Sequence, residues 1–191
     1  MVNKIGKVVM GLVLVSSCLL AESKEASKYQ YDINSLIGVE AGYSSFDVQE
    51  SGGKSKSLDL NHGGVKIGAE STNYRLFLSA KVFDAKEFKH ARSYGVELQY
   101  LLNFSKYANL FFGAGVGKVD MKLDSVNNIK IDDTYYSGDV GFNVHLGDIA
   151  DWEIGARVMG INASAQDGLV KYNFENIITG YTSIIFKFKM N

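Results

Sequence analysis

The chain has 191 residues, enough for one domain of ordinary size, and 20 Lys and Arg against 21 Asp and Glu leave a formal net charge of −1, so no one-sided field marks nucleic acid as a partner. Proline is absent, where an average chain carries about 5%, and 20 glycines accompany 11 tyrosines and 11 phenylalanines. Such a chain is rich in aromatic strand formers and lacks the residue that interrupts a hydrogen-bonded ladder.

The first element is not part of a fold. In "MVNKIGKVVMGLVLVSSCLLAES" Lys4 and Lys7 precede an apolar run from Val8 to Val15 and then small residues. That is the charged lead, short apolar core and small-residue exit of a secretory signal peptide, over residues 1–21, with cleavage after Ala21. The run is too short for a membrane-spanning helix of about 20 residues. "VSSC" offers an alternative, a permissive lipobox with Cys18 acylated. Cleavage after Ala21 removes the only cysteine, and basic residues fall from 20 to 18 against 21 acids, a net charge of −3. Residues 22–33 read as a short polar lead, and residues 34–191 as a single domain.

Eight strands follow, each with one apolar side and one small or polar side at period two. Strand one, near 36–47, sets Ile37, Val39, Ala41 and Tyr43 against Gly38, Glu40, Gly42 and Ser44. Strand two, near 58–70, sets Val65, Ile67 and Ala69 against Lys66, Gly68 and Glu70. Strand three, near 73–83, sets Tyr74, Leu76, Leu78, Ala80 and Val82 against Arg75, Ser79 and Lys81. Strand four, near 93–104, sets Tyr94, Val96, Leu98, Tyr100 and Leu102 against Gly95, Glu97, Gln99 and Asn103. Strand five, "LFFGAGVGKVD", sets Leu110, Phe112, Ala114 and Val116 against Gly113, Gly115 and Gly117. Strand six, near 134–146, sets Tyr136, Val140, Phe142 and Val144 against Ser137, Asp139, Gly141, Asn143 and His145. Strand seven, near 152–160, sets Trp152, Ile154, Ala156 and Val158 against Glu153, Gly155 and Arg157. Strand eight, near 177–189, sets Ile178, Ile184, Phe186 and Phe188 against Tyr181, Ser183 and Lys187. Phe77, Leu101, Phe111, Met159 and Ile185 are misfits, apolar on the polar side. The connections alternate between short ("STN", "SKYAN", "GDIAD") and long polar ones, which puts all the long ones at one end of a meander.

Eight antiparallel strands close into a barrel without edges. Four observations place its apolar side in lipid and its polar side in the lumen. On the polar side Glu40, Glu70, Glu97, Asp139 and Glu153 face five bases, Lys66, Arg75, Lys81, Arg157 and Lys187. That balance is needed in a narrow lumen, where an unpaired charge is costly, and is not needed in bulk water. The glycines of the strands fall mostly on the same side and leave room for those ten side chains. Tyr74, Phe104, Phe112, Trp152, Phe186 and Phe188 at one end, and Tyr43, Tyr94 and Tyr136 at the other, bracket the apolar band as interfacial aromatics. Finally, short turns at one end and long loops at the other are the habit of outer-membrane barrels.

"LIGVEAGYSSF", "LFFGAGVGKV" and "IIFKFKM" carry a resemblance to the small eight-stranded outer-membrane barrels, the superfamily of OmpA, OmpX and the opacity proteins. The resemblance covers 36–189 and implies an all-β, up-and-down transmembrane barrel in the outer membrane of a Gram-negative bacterium. It implies outer-membrane lipid and lipopolysaccharide as surroundings. It also implies a barrel-insertion machinery that reads the C-terminal strand through Phe186 or Phe188, although "KMN" follows where the family usually ends on an aromatic. No cofactor or metal is implied. The role it suggests is structural or surface interaction through long external loops that could hold an extracellular ligand, the lumen being plugged by its charges. A narrow porin-like channel is the alternative, and a soluble lipocalin-like periplasmic carrier the second.

Other motifs carry less. Gly113, Gly115, Gly117 and Lys118 lack the spacing of a phosphate loop, and no helix follows. His62 and His90 lie near loops, and His145 faces the lumen. Acyl-transfer chemistry of the kind some such barrels perform needs a grouped His, Ser and acid. Here only His90, Ser93 and Asp84 are local, with Ser93 pointing inward, so the expectation is no enzyme. Lys54, Lys56, Lys86, Lys89 and Arg92 make two of the loops basic.

Overall fold

The computed structural model describes residues 33–50, 55–84, 88–123, 130–161, 163–167 and 170–189. The expected signal peptide, its cleavage site, Cys18 and all of the polar lead but Ile33 lie outside these residues, as do Lys54 and Lys86.

Among the described residues every regular element is a strand: β1 Asn34–Glu50, β2 Ser55–Glu70, β3 Tyr74–Asp84, β4 Phe88–Asn103, β5 Ala108–Leu123, β6 Lys130–His145, β7 Ala150–Ile161, β8 Ala163–Asp167 and β9 Val170–Lys189. From β1 to β7 each strand pairs antiparallel with the next, and β9 bonds both β7 and β1. β7 pairs with β9 as far as Met159↔Ile177, and β8 takes over the same partner at Ala163↔Phe174. β7 and β8 are therefore one leg of the barrel, and the whole is a closed eight-stranded antiparallel barrel. Closure gives each leg of the barrel a hydrogen-bonded neighbour on both sides through the apolar band, which the bilayer interior demands. A chain without proline can meet that demand along its whole length.

The strands are longer than the alternation predicts. β1 runs to Glu50 and β2 starts at Ser55, still paired at Gln49↔Ser55. β4 starts at Phe88, β5 runs to Leu123, β6 starts at Lys130 and β9 starts at Val170. Most of each expected long loop is thus a hairpin projecting beyond the apolar band. Gly, Ser, Asn and charged residues concentrate in these stretches, so they read as loop, but their backbones still pair. At the other end the turns stay short, at 71–73, 104–107 and 146–149. Ser71 N donates to Tyr74 O at 2.9 Å, and Leu146 N donates to Ala150 O at 2.8 Å around Gly147, whose φ of 77° favours glycine.

The apolar side faces outward. Val82 is 65% exposed and Ile67 53%, in company with Ile37, Val39, Val65, Leu76, Val96, Leu98, Val140, Phe142, Ile154 and Val158. So continuous an apolar surface is suited to lipid and not to water. It rules out the lipocalin-like alternative, which would need this side within. Tyr43, Tyr74, Tyr94, Phe104, Phe112, Tyr136, Trp152, Phe186 and Phe188 all lie on the outer surface. Tyr74 packs against Tyr100 with ring centroids 5.4 Å apart.

Candidate functional site

The lumen is where the chain concentrates its chemistry, and it is built in layers. At the short-turn mouth the guanidinium of Arg75, wholly buried, donates from Nε to Glu70 Oε2 at 2.5 Å and from Nη2 to Asp151 Oδ2. Lys187 Nζ lies 2.9 Å from Asp151 Oδ2 and 3.5 Å from Glu70 Oε1. His145 Nδ1 is 2.7 Å from Asp151 Oδ1. Asp151 was not among the expected lumen residues, because "GDIAD" reads as a turn. β7 begins at Ala150, so Asp151 shares the inward parity of Glu153 and Arg157. The expected balance of five acids and five bases is corrected accordingly. Six carboxylates meet five Lys and Arg side chains, with His145 and His62 beside them.

Above the mouth, two apolar clusters take up four of the five misfits: Leu36 with Phe77 and Ile185, and Leu101 with Phe111 and Tyr181. Their aromatic rings lie against the long charged side chains. Lys66 Nζ stands 4.9 Å from the centre of the Phe77 ring, and the Arg157 guanidinium lies 4.3 Å from that of Tyr181, both within cation–π range.

The central layer is an interlocked network. Arg157 donates from Nη1 to Glu40 Oε1 at 2.8 Å and from Nη2 to Glu97 Oε2 at 2.9 Å. Lys81 Nζ donates to Glu97 Oε1 at 2.6 Å and lies 3.6 Å from Glu40 Oε1. Lys66 Nζ donates to Glu153 Oε1 at 2.6 Å and lies 3.6 Å from Glu40 Oε2. Asp139 is held by neutral donors, Tyr181 OH at 3.2 Å and Gln99 Nε2 at 3.5 Å. Each ion removed from water costs several kcal/mol, and shared partners offset that cost. Glycines make the room. A Cβ added to Gly115 would sit 2.6 Å from Ser137 Oγ and 3.3 Å from Glu97 Cγ, and one on Gly38 2.9 Å from Lys66 Cγ.

His62, expected near a loop and off the lumen face, is buried in the lumen. Its Nε2 lies 3.2 Å from Glu40 Oε1, its Nδ1 3.5 Å from Ser44 Oγ, and its ring is 5.5 Å from that of Phe83. The same parity that gave Lys66 and Glu70 passes through His62, so the signal was present. Beyond it the inward side turns apolar. Leu60, Phe83, Ala91, Val119, Met121, Tyr135, Ile161 and Ile177 are all buried at the outer end. The polar side was expected to hold five apolar misfits, of which only Met159, paired with Ile177, reaches this end, so the layer goes beyond the expectation. Its residues fall in or next to stretches read as loop.

Of the acyl-transfer candidates, Ser93 is buried inside the wall while His90 is on the outer surface, with Nε2 3.6 Å from Asp120 Oδ1. The two lie on opposite faces of β4 and cannot form a nucleophile and base. Among the described residues no three His, Cys, Asp or Glu side chains converge as metal ligands would.

Comparison with known proteins agrees with this architecture. The pattern of the outer membrane protein beta-barrel domain family matches residues 10–182. Among curated protein sequences none matches significantly. Neisserial surface protein A, from Neisseria, superposes with a TM-score of 0.58 at 15% identity, over 81% of this chain and 97% of that one. The N-terminal β-barrel domain of OprF from Pseudomonas aeruginosa superposes with a TM-score of 0.53 at 13% identity, over 83% of this chain and all of that one (100%). At these identities the likeness is one of fold.

Proposed function

This chain belongs to the outer membrane protein beta-barrel family, and from that premise we propose that it is a plugged barrel, a stand for its outer hairpins with a structural or surface-interaction role. It resides in the outer membrane. Short turns are periplasmic in such barrels, and the longer connections are external. The hairpins built from β1–β2, β3–β4, β5–β6 and β7–β9 are therefore the parts a neighbouring cell or molecule would meet. A rigid scaffold presenting variable connections is a common way to build a binding surface.

One observation carries the plugged reading. The mid-lumen side chains have almost no accessible surface: Lys66 1%, Glu97 1%, Gln99 0%, Glu153 0% and Arg157 1%. Side chains lining a water-filled pore would be wetted. The apolar layer above them adds a second closure. Planar-bilayer recording of the purified protein tests the reading. The expected result is no steady conductance above the bare membrane. A stable unitary conductance that changes on Glu97→Ala would replace the plug with a channel.

A further inference from the structure

The described lumen holds one carboxylate more than its Lys and Arg side chains offset. Glu40, Glu70, Glu97, Asp151 and Glu153 each lie in a salt bridge with Lys or Arg. Asp139 alone among the described lumen carboxylates does not, although it is only 6% exposed.

The strands around Asp139 give it neutral contacts. It stands in one row with Gly113 of β5 and Gln99 of β4, and a side chain on Gly113 would collide with its Oδ1. Gln99 Nε2 and, from β9, Tyr181 OH both reach its Oδ2. On β7 Arg157 is its register partner, but the guanidinium turns Nη1 to Glu40 and Nη2 to Glu97. Glu153 shares Gln99 Nε2 with it and is itself held by Lys66. The histidines are engaged elsewhere, His62 with Glu40 and His145 with Asp151. Swinging Arg157 across to Asp139 would move the deficit to Glu40 or Glu97 and not remove it. Three oxygens are buried here without a hydrogen-bond partner: Asp139 Oδ1, Gln99 Oε1 and, one row outward, Ser137 Oγ. Buried groups of that kind call for an explanation, an ion included.

An uncompensated charge in a dry lumen is costly enough to draw in a counter-charge. We infer that Asp139 binds one cation of unit charge that the chain does not supply, a proton on Oδ1 or a sodium ion at Oδ1. Oxygen donors suit such hard cations, and a divalent ion would overshoot the count. The occupant neutralises the plug. The inference rests on the closed lumen of the plugged reading, because water in an open pore would solvate the carboxylate.

Two measurements on the folded mature chain test it, each against Asp139→Asn, which keeps the shape and removes the charge. The first is the infrared difference between wild type and variant at neutral pH, where a proton on Asp139 gives the C=O stretch of an undissociated carboxyl. The second is urea unfolding in lipid vesicles with sodium chloride or an equal concentration of N-methylglucamine chloride. A bound sodium ion raises the wild-type midpoint in sodium chloride only, since the unfolded chain lacks the site, and the variant loses that shift. One of the two signals is expected. Neither signal in folded wild type overturns the site, and so does a carboxyl band or sodium shift that survives in the folded variant. The heat-dependent gel shift shows that the variant is folded, and Asp139→Ser, smaller and also uncharged, takes its place if it is not. Planar-bilayer conductance of the same samples reports separately on the plug, so a silent barrel with neither signal defeats this site alone.

Discussion

The middle and the outer end of the lumen solve one packing problem in two ways. In the middle, Arg157, Lys81 and Lys66 reach across the barrel to Glu40, Glu97 and Glu153, and glycines on β1, β2 and β5 make way for them. At the outer end Leu60, Phe83, Val119, Met121 and Ile177 fill the space without ions. The apolar layer is the less demanding construction, since replacing a buried ion pair by hydrophobic residues is often neutral or better. What the charged layer adds is specification. A one-residue slip of β1, β2, β3, β4, β6 or β7 would turn a charge towards lipid, whereas a slip in the outer layer would exchange apolar for small or polar residues at lower cost. The difference teaches that charge fixes register where the barrel crosses the membrane, and apolar packing seals it where the hairpins begin.

Substitutions in the two layers sharpen this contrast. The largest effect is expected at Gly115, where Gly115→Glu drives a carboxylate between Ser137 and Glu97. The outcome is failure to fold, seen as loss of the heat-dependent gel shift. Next is Arg157→Ala, which leaves Glu40 and Glu97 short of a partner. Breaking a buried pair costs about 3–5 kcal/mol, measurable by urea unfolding in lipid vesicles with Trp152, the single tryptophan, as reporter. In the apolar layer Ile177→Val removes one buried methylene, and about 0.5–1.5 kcal/mol is expected in the same assay. The smallest effect belongs to the outer surface. Lys118→Gln at an exposed rim position is expected to stay within about 0.5 kcal/mol of wild type. An Ile177→Val loss larger than that of Arg157→Ala would reverse the ranking of the layers.

The sequence made the facing of the central strands legible because parity needs only a few alternating residues. Glu40, Lys66, Arg75, Lys81, Glu97, Glu153 and Arg157 could be assigned to the polar side that way. Their partners could not, because the contacts depend on reach across a lumen. Arg157 meets Glu40 from a position 117 residues away. Asp151 was missed because it sits at a strand start where turn-like composition overrides parity, and His62 because the polar, glycine-rich stretch around it reads as close to a loop although its parity is that of Lys66 and Glu70. The hairpin extensions were hidden because Gly, Ser, Asn and charged residues concentrate in them, and their strand character shows only in pairings such as Gln49↔Ser55. The apolar outer layer was hidden with them.

The central claim, a lumen closed to water at its middle, is tested most directly by thiol accessibility. Cleavage after Ala21 would leave a chain without cysteine, so single-cysteine variants of residues 22–191 are clean reporters. Ser79 is inward and buried, with Oγ donating to Glu97 Oε1 at 2.9 Å, and Thr72 is exposed in a short turn. The account predicts that a small water-soluble maleimide labels Thr72→Cys readily in the folded barrel and leaves Ser79→Cys unlabelled until the barrel is unfolded. Labelling of folded Ser79→Cys at the rate of Thr72→Cys would contradict it.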